Sequence, residues 1–104
     1  MASPQQINDY ILESVSDATG IPVAEIPMGT PGFNFYNAAM LAAKQMGFQG
    51  ADTEAKAMEL IQKLTWNIET GEPGPLMGYN PELGNFDAFF QTAIKRRAIS
   101  EARD

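Results

Sequence analysis

Apolar positions recur with α-helical spacing in four stretches of the chain. In the first, from about Pro4 to Thr19, Ile7, Tyr10, Ile11, Val15 and Ala18 share one face, the i, i+3, i+4 pattern of an amphipathic helix. Ser3 stands where an N-cap belongs, Pro4 suits the first helical position, and Gly20 offers a stop. On the opposite face Asp9, Glu13 and Asp17 follow one another every four residues with no lysine among them. The second stretch predicts a helix from about Asn34 to Met46, stopped by Gly47. Phe35, Ala38, Ala39, Ala42 and Met46 give it a narrow face of mostly small residues, against which another helix can approach closely. Tyr36, Met40 and Leu41 lie off that face, so this helix is apolar nearly all round and belongs in the centre of a core or at an interface.

The third stretch predicts a helix from about Thr53 to Glu69, with Asp52 or Thr53 as cap and Gly71 as stop. Ala57, Leu60, Ile61, Leu64 and Ile68 form its inner stripe, and Trp66 points to the polar side. The fourth begins after Asn85, an N-cap, and carries Asp87 near the positive end of the helix dipole. Phe86, Phe89, Phe90, Ala93, Ile94 and Ala98 make its apolar face, while Lys95, Arg96 and Arg97 approach the negative end, where cations are favoured. No segment alternates with the period of two that marks a half-buried strand. The pattern therefore predicts an all-α fold of four helices.

Two long connections, Gly20–Phe33 and Gly71–Gly84, divide these helices into two helix–long-loop–helix halves. They are rich in Gly and Pro yet hold Ile21, Val23, Ile26, Met28 and Phe33 in one, and Leu76, Met77, Tyr79 and Leu83 in the other. Disordered linkers lack such residues, so ordered loops packed over the helices are expected. A shift of 51 residues lays Thr19-Gly20-x-Pro22 on Thr70-Gly71-x-Pro73, and Asn34-Phe35 on Asn85-Phe86. The same shift matches Ala42 with Ala93, Lys44 with Lys95 and Ala51 with Ala102. A weak internal pseudo-repeat would produce this, and so would glycine stops and asparagine caps arising independently.

Length and composition then narrow the picture. At 104 residues, 44% of them apolar, the chain fits one domain, 1–104, with a short basic end at 95–104. No stretch approaches the roughly 20 apolar residues that cross a bilayer, and no signal peptide opens the sequence. A soluble protein, intracellular or particle-associated, is the expectation. The formal charge of −6 is unevenly placed: residues 1–43 contain no Lys or Arg, whereas the last ten hold Lys95, Arg96, Arg97 and Arg103. An acidic body disfavours nucleic acid, whose binding depends on cations displacing phosphate counterions. The asymmetry suggests instead that the basic end meets an acidic surface, on its own chain or on a neighbour.

The absence of Cys and His removes thiolate and imidazole chemistry: no disulfide, no zinc ribbon, no Ser-His pair, no imidazole ligand. No Ser-x-x-Lys spacing supplies another nucleophile. Asp52-Thr53-Glu54 is the nearest approach to a hard-cation loop, and it reads as an acid-rich helix start without EF-hand spacing. Gly29-Thr30-Pro31-Gly32 and Gly71-Glu72-Pro73-Gly74 resemble phosphate cradles only superficially; neither follows a strand nor carries the lysine of a P-loop. No catalytic residue, metal site, cofactor or small-molecule substrate is inferred.

The apolar excess carries the functional expectation. Met28, Phe33, Tyr36, Met40, Leu41, Trp66, Leu76, Met77 and Tyr79 exceed what one four-helix core of this length obviously consumes, and Trp, Tyr and Met favour contact surfaces. The alternative is that the loops fold over and bury them within the chain. The sequence points to a noncatalytic interaction module, a small subunit or adaptor in a larger assembly, with a virus particle or other multicopy structure as a fitting context. Its partner would be another protein or copies of itself. A different reading makes it a small acidic regulator that uses Asp9, Glu13 and Asp17 to occupy a basic or nucleic-acid-binding surface of a target. A remote third is an enzyme working with carboxylates alone.

Overall fold

The computed structural model describes residues 3–67 and 69–103, with the side chain of Arg103 excepted. Helix α1 spans Pro4–Thr19, with both ends fixed locally. Ser3 and Gln6 form a reciprocal capping box: the Gln6 amide donates to the Ser3 hydroxyl, and the Ser3 amide donates to the Gln6 side chain. At the other end Gly20 adopts φ 78°, a left-handed conformation that costs glycine little, and its amide donates to the Ser16 carbonyl. Helix α2 spans Phe35–Gln45, where the Asn34 side chain accepts from the Asn37 amide. Helix α3 spans Ala51–Thr65 and α4 spans Phe86–Arg103. The fold is all-α apart from one antiparallel pair of two-residue strands, β1 (Trp66–Asn67) and β2 (Glu72–Pro73).

The third helix departs from its sequence pattern at both ends. It starts two residues early, on Gly50, whose backbone caps without a side-chain bond. Thr53, expected as a cap, lies inside the first turn with its hydroxyl buried and unpartnered. The helix stops at Thr65 rather than Glu69, because the chain turns into β1 and pairs back through β2. Gly71 therefore sits in a hairpin turn and ends no helix. Ile68, assigned to the inner stripe, lies outside the described residues. What holds the early stop in place is Gly74. Its amide donates to the Thr65 carbonyl at 2.9 Å, and its Cα lies so close to the Leu64 carbonyl that any Cβ would overlap it.

Helix α2 is central and packs on α1, α3 and α4. The core forms where its Phe35 meets the start of α4: Phe35 lies 5.3 Å from Phe86 and 4.9 Å from Phe90, ring centre to ring centre. Phe35 and Phe86 are the matched positions of the 51-residue shift. At both helix starts the Asn carbonyl accepts the first helical bond, from Ala38 in one half and Phe89 in the other. The correspondence fails at the Thr-Gly-x-Pro motifs, of which the first ends a helix and the second turns a hairpin.

Both long connections are ordered and contain short 3₁₀ turns, Val23–Glu25 in one and Pro75–Gly78 and Pro81–Leu83 in the other. Ile26, Leu76 and Tyr79 enter the core outright, and Ile21, Met28, Phe33 and Met77 pack against its edge. The loops thus consume much of the apolar excess. The first loop is also tied to the distant start of α4: the Phe86 amide donates to the Pro27 carbonyl at 2.8 Å, and Asp87 accepts from the Gly29 and Thr30 amides, each at 2.9 Å.

Candidate interaction surface

Helix α4 presents its outer ridge between α2 on one side and α3 on the other. Its inner residues Phe86, Phe90, Ala93, Ile94 and Ala98 are buried, so Gln91, Lys95 and Ile99 line the edge toward α2, while Thr92, Arg96 and Ser100 line the edge toward α3. Toward α2 lie two hollows of about 210 and 310 Å³ that share Ala42, Gln45 and Lys95 and so form one groove. Alanines at 38, 42, 98 and 102 make it, because short side chains on facing helices leave space between the two backbones. Leu41 and Ile99 stand at its edges, 52% and 55% exposed. Toward α3 a cleft of about 310 Å³ runs over Leu64, Pro75, Phe89 and Ala93, with Lys63, Arg96 and Arg97 at its rim.

The charges on this side are not equivalent. Lys56 donates to both Glu59 and Glu101, Lys63 reaches Glu59 at 3.2 Å and Glu101 at 3.6 Å, and Arg97 donates to Glu101 at 2.7 Å. This network clamps α3 to α4. Burial pushes the Glu101 carboxyl upward, but the hydrogen bonds from Lys56 and Arg97 outweigh it and hold the group below its ordinary range. Lys56, donating to Glu59, holds that carboxyl low too, against the upward push of partial burial. Lys95 and Arg96 are exposed and have no ion-pair partner among the described residues. The basic end therefore meets acid within its own helix at Arg97, and offers Lys95 and Arg96 outward.

Asp87 is different again. It is 5% exposed; burial would raise its titration, yet the backbone donors of Gly29 and Thr30 lower it below the ordinary carboxylate range. The Gly29 run thus does cradle an anion, one supplied by the chain itself.

On α1 the acidic stripe stands in solvent: Asp9, Glu13 and Asp17 are all exposed. Tyr10, expected on the apolar face, is 47% exposed, with its hydroxyl 3.4 Å from that of Thr65. Trp66, the next residue, is 51% exposed. The remaining contact candidates distribute as follows. Leu41 and Phe33 line the α2–α4 groove, and Phe33 is half-buried there. Met28, Tyr36, Met40 and Met77 are half-buried against the core. Leu76 and Tyr79 are corrected to core residues: Leu76 is fully buried, and the Tyr79 ring packs on Phe86 and Phe89 while its hydroxyl donates to the Gly84 carbonyl at 2.6 Å. The side chain of Arg103 is outside the described residues. Ile99 was missed. Its signal was an isoleucine one step beyond the apolar stripe that ends at Ala98, at helical spacing from Lys95.

Among the described residues no group of three or more acids is gathered closely enough to hold a metal ion, and no helix is long and apolar enough to cross a membrane. No family model, curated protein or solved structure matches the chain.

Proposed function

We propose that this chain is a noncatalytic interaction module, a small structural subunit or adaptor of a larger multicopy assembly, and that it docks through the α2–α4 groove. The observation that carries this reading is an alanine-lined groove of two adjoining hollows, with Leu41 at one and Ile99 at the other, both more than half exposed. Scattered apolar side chains on a surface mean little, whereas several contiguous around a concavity favour a partner. The carboxyls with displaced titration have structural roles. Asp87, Glu59 and Glu101 all titrate low, and each is held by bonds that serve the fold. None of these three is displaced upward, as a general acid working near neutral pH would be.

The test is the size of the complex that the tagged chain forms in its native source. Leu41→Asp with Ile99→Asp should return it to the size of the free 11.3 kDa chain, with folding stability lowered by about 1 kcal/mol, roughly half from each half-exposed site. A variant that keeps the complex size contradicts the reading. A second reading, an acidic regulator of a basic target, draws on the open Asp9, Glu13 and Asp17 face; it predicts a monomeric binder whose target is lost when those three are neutralised.

A further inference from the structure

We infer that the occupant of the α2–α4 groove is helix α1 of a second copy, so that chains join head to tail. This rests on the reading of that groove as the docking surface and adds the identity of its partner. The groove is apolar on its walls and carries Lys95 at its α4 edge, while Arg96 stands across the α4 ridge on the edge toward α3; neither has an acidic partner among the described residues. The complementary surface must carry carboxylates and an apolar group to enter the hollow. Helix α1 has both. Asp9, Glu13 and Asp17 recur about 6 Å apart along its axis, Tyr10 offers a ring 47% exposed with its hydroxyl held near that of Thr65, and no Lys or Arg occurs in residues 1–43.

Within one chain the two surfaces do not satisfy each other. Helix α1 packs on α2, α3 and the Pro75–Gly78 turn, and none of its three acids pairs with Lys95 or Arg96. Pairing of like faces is disfavoured, because α1 on α1 would set acid against acid and α4 on α4 would set cation against cation. A contact between unlike faces made once per pair leaves an unused α1 at one end and an unused groove at the other. Such heterologous contacts propagate into rings or filaments, the form a multicopy assembly requires.

Charge exchange between the two faces tests this on the full chain by sedimentation equilibrium. The wild-type protein should form oligomers that grow with concentration. Reversal on α1 (Asp9→Lys, Glu13→Lys, Asp17→Lys) and reversal on α4 (Lys95→Glu, Arg96→Glu) should each weaken association by roughly tenfold or more, with melting temperatures near wild type. An equimolar mixture of the two should associate again, since each face then meets its opposite. A wild-type chain that stays monomeric overturns the inference, as do reversal variants that associate like wild type or a mixture that associates no better than its components. A monomeric wild type would leave the groove reading standing, because the size of the native complex tests that separately.

Discussion

Single residues in this protein answer to partners far away in the chain, and Asp87 is the clearest case. From sequence it reads as a carboxylate complementing the dipole of its own helix. Its two amide donors lie at Gly29 and Thr30, 58 and 57 positions away, and no local pattern announces them. Because its folded titration lies below the unfolded one, its contribution is complete above the ordinary carboxylate range near pH ~4 and disappears as pH falls through the lowered value. Asp87→Asn should therefore cost about 2 kcal/mol at neutral pH, and the gap to wild type should narrow in denaturant titrations below pH ~4. Thr53 poses the reverse case, since its hydroxyl is buried with no partner. Thr53→Val keeps the shape and removes the unmet polar group, so the melting temperature should rise, by about 1 kcal/mol of added stability. A fall would mean that the hydroxyl has a partner after all.

At the scale of elements, legibility follows the range of the interactions that set each boundary. Both ends of α1 could be read because Ser3, Gln6 and Gly20 act within a few residues of them. The start of α2 could be read for the same reason, through the Asn34 cap. The end of α3 could not, because its apolar spacing continues to Ile68 while the stop comes from the hairpin and from Gly74 seated on the Leu64 carbonyl. Gly74→Ala places a methyl group where backbone already lies. It should destabilise by about 3 kcal/mol or more, seen as a lowered denaturant midpoint and as faster hydrogen exchange at the end of α3. The 3₁₀ turns went unread because the loops carry no periodicity at that length. That the loops would be ordered was legible from Ile26, Leu76 and Tyr79, all of which the core takes up.

The whole molecule shows how far an argument from apolar excess reaches. The loops bury part of what seemed surplus, so Leu76 and Tyr79 leave the set of contact residues, and the four half-buried candidates Met28, Tyr36, Met40 and Met77 serve the core edge. What remains outside includes Val23, Trp66 and Leu83, and also more ordered features than composition could indicate: a groove edged by Leu41 and Ile99, a ridge with Lys95 and Arg96, and a separate face with three acids. Leu41 and the cations were visible in the sequence; the groove was not, because it exists only where alanines of two helices 50 residues or more apart in the chain face each other. The most direct measurement of the docking claim is photo-crosslinking in the native source, with a photoreactive amino acid replacing Ile99 and, as a control, exposed Glu82. The account predicts one adduct of discrete mass from position 99 that Leu41→Asp abolishes, and none from position 82. No adduct at 99, or the same adducts from both positions, would contradict it.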